Sequence, residues 1–221
     1  MLCACGGGGG TGPATGTLQG LVRDTAGAAL EQVLVQLRDS VTSTNLGSVY
    51  TDAGGAYSFP GTSTGGFTVF VQVPPATQVV GTNPIPATVT GSQTTQADFS
   101  LRLLPVSFSS HVQPVFTASC ASGGCHAGAA PKQGMDLSSG NAYANIVNVA
   151  AVEPTPSMDR IEPGDPTLSF MIHKLEGTQG GLVCSPVPPG CGTRMPQGAP
   201  PLPLQTIRMI KRWVTAGALN N

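Results

Sequence analysis

The sequence predicts a multi-domain chain, an all-β sandwich followed by an all-α domain. Three observations predict it. Residues 17–104 alternate apolar and polar positions with period two, as half-buried strands do. At residue 105 that alternation stops, and from His111 short helical patterns alternate with Gly/Pro loops. The whole chain carries 30 glycines and 20 prolines in 221 residues, which suits strands, turns and ordered loops better than long helices.

The strands are read in order. Alternation is clearest in VLVQLRDS, with Val33, Val35 and Leu37 on one face, in GFTVFVQV, with Phe67, Val69, Val71 and Val73, and in QADFSLRLL, with Phe99, Leu101 and Leu103. Shorter strands are expected at 17–23, 45–51, 56–59 and 87–90. About seven short strands separated by turn residues predict two packed sheets. In TDAGGAYSF (51–59) the Asp-Ala-Gly-Gly tolerates positive φ, and Tyr57 and Phe59 then share a face. Asp24 and Asp52 are candidate calcium ligands in this region. Residues 105–221 form the second domain. Pro114 opens a first helix. Asp165 caps and Pro166 starts a second, PTLSFMIHKL. LQTIRMIKRWVTA closes the chain with Leu204, Ile207, Ile210, Trp213 and Val214 on one stripe, and Gly217 stops it.

Charged residues are only 10% of the chain and the net charge is −1, so no basic stripe is present for nucleic acid. No apolar run is long enough to span a membrane. The opening MLCAC has Leu2 three residues before Cys5 and the small Ala4 just before it. This resembles a bacterial lipobox, which implies lipidation of Cys5. Only four residues precede Cys5, so either the start lies upstream or Cys3 and Cys5 are ordinary thiols. GGGGGTGPATG completes a tether over residues 1–16, of reach roughly 18 Å by random-coil scaling. Paired cysteines in loops favour an oxidising compartment.

CASGGCHAG (120–128) is the chemical centre of the second domain. Cys120 and Cys125 are compatible with a small disulfide. They are also compatible with a zinc site completed by Cys184, Cys191 or His173. A third reading is haem c, because two thiols followed at once by His126 is the order that covalent haem attachment demands. Gly123-Gly124 supplies the bulge a four-residue spacer needs. A distant second axial ligand is then required, and TRMPQGAPPLP offers Met195, held extended by Pro196. Met158, Met171 and His173 are its rivals. His111 is expected at the surface. Arg160 and Arg194 are candidate propionate contacts, and Phe116, Ile146, Val147, Leu168, Phe170 and Ile172 candidate apolar walls. Cys184 and Cys191, seven apart, are expected to bridge and restrain the loop before Met195.

Two resemblances follow. GLVRDTAGAALEQVLVQL and TDAGGAYSF, over residues 17–104, resemble the carboxypeptidase regulatory-like (transthyretin-like) domain of exported bacterial proteins. The resemblance implies a spacer or docking module. It also raises a carbohydrate ligand, because the superfamily is related to carbohydrate-binding folds, but alternation buries most of the aromatics a sugar groove needs and the spacer remains the expectation. Residues 108–219, through VQPVFTASCASGGCH, NAYANIVNV, EPGDPTLSFMIHKLEG, RMPQGAPPL and IRMIKRWVTAGA, resemble the c-type cytochrome domains of exported planctomycete and myxobacterial proteins. That resemblance implies a class I cytochrome c-like domain. One covalent haem c would be held by Cys120 and Cys125, with His126 and Met195 on the iron. The function so implied is a monohaem electron carrier, not an enzyme. It would be lipid-anchored in the periplasm or outer membrane of a Gram-negative bacterium and would serve unidentified redox partner proteins. Two alternatives stand beside it. One is a haem peroxidase or ligand sensor with an open distal site. The other is a non-haem structural or carbohydrate-binding surface lipoprotein.

Overall fold

A computed structural model describes residues 14–185 and 190–221. The chain divides into two compact units, Met1–Leu103 and Leu104–Asn221.

The described residues of the first unit form a two-sheet sandwich of nine strands: β1 (Thr15–Asp24), β2 (Leu34–Asp39), β3 (Asn45–Tyr50), β4 (Ala56–Ser63), β5 (Gly65–Val71), β6 (Thr77–Val80), β7 (Ile85–Val89), β8 (Thr94–Gln96) and β9 (Phe99–Leu103). One sheet runs β4-β1-β9-β6, with β8 also pairing β1, and the other runs β3-β2-β5-β7. β1 is antiparallel to β4 but parallel to β8 and β9. Most of the alternating apolar positions face inward as one core, with Leu18, Val22, Val35, Val69, Val71 and Leu101 fully buried, whereas Val73 and Leu103 are 41% and 38% exposed and do not join it. Burial on this scale is the main stabilising term of a sandwich. The Tyr57 hydroxyl sits inside this core and donates to the Ala97 carbonyl oxygen.

Two glycines are required by close approach. A Cβ at Gly20 in β1 would lie 1.9 Å from the Ala97 carbonyl oxygen. Gly55, at φ 77°, turns the chain into β4, and a Cβ there would lie 2.5 Å from the Val22 carbonyl oxygen. Asp52 pins the same turn: its Oδ1 accepts from the Gly54 and Ala56 N–H groups at 2.8 and 2.9 Å. Asp24 does the same for Ala26 and Ala28, at 2.9 and 2.8 Å. Both candidate calcium ligands thus cap turns through Oδ1. Of the aromatics considered for a sugar groove, Tyr57, Phe59, Phe67 and Phe99 are buried and Arg38 lies over the Phe70 ring, while Tyr50 is exposed.

The second unit corrects the expected fold class, because it is not an all-α domain. Among the described residues its α-helices are α1 (Gln113–Ser119), α2 (Ala142–Ile146), α3 (Phe170–Glu176) and α4 (Leu204–Thr215), and only α4 exceeds seven residues. The connections carry single-turn 3-10 segments and isolated β-bridges such as Val147↔Ile161 and Ala150↔Asp159. Short helices gain too few hydrogen bonds to repay nucleation, so packing holds them. The expected helix from Pro166 is interrupted. Ser169 is extended (φ −97°, ψ 106°), and its hydroxyl donates to the Asp165 carbonyl oxygen at 2.8 Å, so α3 begins only at Phe170.

An aromatic cluster centres this unit. Phe108 packs against a tilted Trp213 ring and edge-to-face with Tyr143, ring centroids 5.3 Å away in each case, and meets Phe116 at 6.3 Å. The α4 stripe buries Ile207, Ile210, Trp213 and Val214, together with Met209. The Trp213 indole N–H donates to the Leu219 carbonyl oxygen at 2.9 Å. Lys211 on α4 pairs with Glu176 at the end of α3, 2.7 Å away. No helix among the described residues is long and apolar enough to cross a membrane.

Candidate functional site

A cavity of about 490 Å³ opens in the second unit. Helix α1 delivers its first wall. Phe116 is on the helix, and Cys120 caps its C-terminus with its N–H on the Phe116 carbonyl oxygen at 2.8 Å. The loop then folds back on itself. Cys125 N–H donates to Ser122 O at 3.0 Å, and His126 N–H to Cys120 O at 3.2 Å. Gly124, at φ 83°, makes that reversal. Cys120, Cys125 and His126 all reach the cavity.

The opposite wall comes from α3 and the 191–199 loop. Phe170, Met171, Lys174 and Leu175 face the cavity from α3, and Met195, Pro196 and Ala199 from the loop. The loop is tied to α3 by three bonds: Met195 N–H to Lys174 O at 2.8 Å, Arg194 Nε to Leu175 O at 3.0 Å, and Lys174 Nζ to Cys191 O at 2.7 Å. Cys191 is itself bridged to Cys184. Such a bridge fits an oxidising compartment outside the cytoplasm.

Arg160 closes the floor. Its guanidinium donates to Asn145 O at 2.7 Å and to Gln133 O at 2.6 Å. It is 9% exposed and Lys174 is 8% exposed. Burial pulls both cations below their ordinary pKa, and Glu153 opposes the change in each. Burial also lowers the His126 pKa, with the backbone at Lys132 and Met135 opposing the change. The imidazole is therefore held towards its neutral form, and its Nδ1 is buried without a partner.

Burial pushes the Cys120 thiol up to about 11, with the nearby Cys125 adding to it. The sign is that of an acid kept neutral by the fold. The unfolded thiol ionises from its ordinary 9.0 and the folded one only near 11. This contribution to stability is thus complete below the lower value and is lost as pH rises through the upper. A two-unit rise cuts the thiolate fraction at pH 8 by about 100-fold. In peptide-resolved alkylation of the native protein with iodoacetamide, Cys120 is expected to react about tenfold more slowly than an unperturbed cysteine, because the greater nucleophilicity of a more basic thiolate offsets part of the lost fraction. Reaction at an ordinary rate would show that the thiol is not held in this environment.

The structure thus brings Cys120, Cys125, His126, Arg160, Met171 and Met195 to one cavity. Other sequence candidates lie elsewhere. Arg194 is spent on the Leu175 carbonyl rather than lining the cavity. Both His173 ring nitrogens are engaged, with Thr167 O and Thr178 Oγ1, each at 2.9 Å. His111 accepts from the Ser107 N–H. Met158 packs against the cluster of Ala151, Phe170 and Cys191. Ile146 and Ile172 are core residues, Leu168 is 53% exposed, and Val147 extends to pair with Ile161. Sequence reasoning missed Lys132, Met135, Glu153 and Lys174, which also line the cavity. Of these only Lys174 carried a usable signal, one residue after His173 in a helical pattern. Cys5 and Cys3 lie outside the described residues.

No family model and no curated protein sequence matches the chain. Solved structures similar to part of it include the minor pilin GBS52 of Streptococcus agalactiae, at 18% identity, TM-score 0.35, covering 42% of this chain and 47% of that one. The major pilin subunit BcpA of Bacillus cereus matches at 18% identity, TM-score 0.33, covering 41% and 31%. A DUF3823 family protein of Bacteroides uniformis matches at 18% identity, TM-score 0.32, covering 40% and 43%. The chain therefore spans less than half the length of each of these structures.

These findings correct both family resemblances. No family model carries either resemblance, and the second unit, with only short helices joined by 3-10 turns and β-bridges among its described residues, is not the all-α domain that a c-type cytochrome requires. The expected covalent haem c, with thioethers at Cys120 and Cys125 and axial His126 and Met195, is not sustained. The all-α fold that would carry it is absent from the described residues, and no three His, Cys, Asp or Glu side chains among them are grouped to hold a metal ion. The electron-carrier reading falls with the haem, as does the peroxidase or sensor alternative that needed the same group. Zinc loses its proposed completing ligands, because Cys184 and Cys191 are bridged and His173 is occupied. Cys120 and Cys125 do not bridge each other; both are free thiols.

Proposed function

We propose that the chain is a non-enzymatic structural protein of the extracytoplasmic surface, with the β-sandwich as its spacer. The observation that carries this reading is the sandwich itself. Two sheets bury a continuous apolar core, and the carboxylates Asp24 and Asp39 at the ends of β1 and β2, with Asp52, cap the turns through Oδ1. The Cys184–Cys191 bridge supports an oxidising location. Lipidation of Cys5, followed by the glycine-rich tether, is the proposed means of attachment to a Gram-negative membrane facing the periplasm or the exterior. A lipid anchor and a tether would let the folded units stand off the bilayer without a spanning helix.

The test is fractionation of the producing bacterium carrying an epitope-tagged chromosomal copy. The protein is expected in the membrane fraction, labelled by radioactive palmitate, and reached by a protease added to cells with a permeabilised outer membrane. Cys5→Ala should move it to the soluble extracytoplasmic fraction. Recovery from the cytoplasm would overturn the surface reading, and unchanged membrane association of the Cys5→Ala protein would overturn the anchor.

A further inference from the structure

We infer that the cavity of the second unit binds a small organic anion, an apolar ring or chain bearing one acidic head group. The proposal goes beyond the structural reading of the sandwich and does not depend on where the protein is located. Its first support is size. About 490 Å³ falls within the range of roughly 300–1,000 Å³ usual for small-molecule sites. Its second is the character of the wall. Phe116, Leu137, Phe170, Met171, Leu175 and Met195 present ring, branched and thioether surface, matched to an apolar body.

The third support is charge. Three cations line the cavity, Lys132, Arg160 and Lys174, against a single carboxylate, Glu153. Two of those cations are buried and bonded to neutral carbonyl oxygens rather than to acids. Holding guanidinium and ammonium groups out of water is costly unless opposite charge compensates them. Glu153 compensates one charge in three, and an anionic ligand head would offset more of the remainder. Lys132 is exposed at the rim, where it would meet the ligand first. The apolar wall and the excess of cations together favour an amphiphilic anion over a neutral or cationic ligand.

Two fluorescent probes of one skeleton separate these features. 8-Anilino-1-naphthalenesulfonate carries the anion, and N-phenyl-1-naphthylamine lacks it. With the full chain, the sulfonate is expected to bind saturably at one site and about tenfold more tightly than the neutral probe. Lys132→Glu should weaken the sulfonate by about tenfold and leave the neutral probe unchanged. Ala199→Trp, at an exposed loop position on the cavity wall, should abolish binding of both. Circular dichroism confirms that each variant is folded. Equal affinity for the two probes, or a sulfonate affinity untouched by Lys132→Glu, overturns the anion preference. Non-saturable binding, or binding that survives Ala199→Trp, overturns the cavity as the site.

Discussion

Gly20→Ala is expected to destabilise the sandwich by about 3 kcal/mol, the upper end for overpacking a tight site. The added methyl would lie 1.9 Å from the Ala97 carbonyl oxygen, 2.7 Å from the Ala97 carbonyl carbon and 2.7 Å from the Tyr57 hydroxyl. Two of those three neighbours are backbone, which no side-chain rotation can move aside. The same carbonyl oxygen accepts from the Ala97 partner Tyr57, so separating the chains also leaves a buried hydroxyl without its bond. β1 then has to part from β8, and it is the strand that joins both halves of its sheet. Urea unfolding followed by far-ultraviolet circular dichroism reads the loss, and hydrogen exchange in residues 15–24 and 94–96 localises it. An unchanged midpoint would mean that the β1–Ala97 approach is looser than described. Gly27→Ala is a comparison, since no atom lies within 4 Å of a Cβ there; its cost is confined to the strain of a positive φ of 88°.

Trp213→Ala is expected to cost about 4 kcal/mol in the second unit, typical of deleting a large buried aromatic. The side chain is 1% exposed, and Phe108 and Tyr143 both pack on it. Removal empties the middle of the aromatic cluster and frees the Leu219 carbonyl oxygen that accepts from the indole. Trp213→Phe restores most of the volume but not the N–H, so it should recover more than half of the loss. Against a total stability of about 5–15 kcal/mol, the alanine variant should unfold at markedly lower urea. Circular dichroism measures both variants, since the only tryptophan is the residue replaced. Equal midpoints for Trp213→Ala and the parent chain would remove this cluster as the centre of the unit.

The sandwich was more legible than the second unit, for a physical reason. In VLVQLRDS, GFTVFVQV and QADFSLRLL a buried face meets a solvated one, so period-two alternation is written directly into the residues. β6 and β8 were missed because both are short and half-exposed, with burial patterns that leave little for hydrophobicity to record. The parallel partnership of β1 with β9 was also invisible, because pairing partners depend on tertiary contacts. In the second unit the α4 stripe was readable from Ile207, Ile210, Trp213 and Val214. The connecting segments were not, because Ser169 and Val147 leave the helical region for local side-chain and bridge bonds. The loop 120–126 advertised its chemistry by residue type alone. Which residues met it across the cavity depended on the Arg160 and Lys174 bonds to distant carbonyls, which no spacing rule encodes.

The position of β1 has a consequence for the order in which the protein can mature. Leu21 N–H is bonded to the Asp98 carboxylate, 77 residues further along, and β9 pairs beside it. β1 must wait for one of the last strands of its unit before its second edge is covered. Closing so long a segment is slow and entropically costly. A nascent unit delayed in this way leaves one edge of β1 open to pairing until β9 has been made.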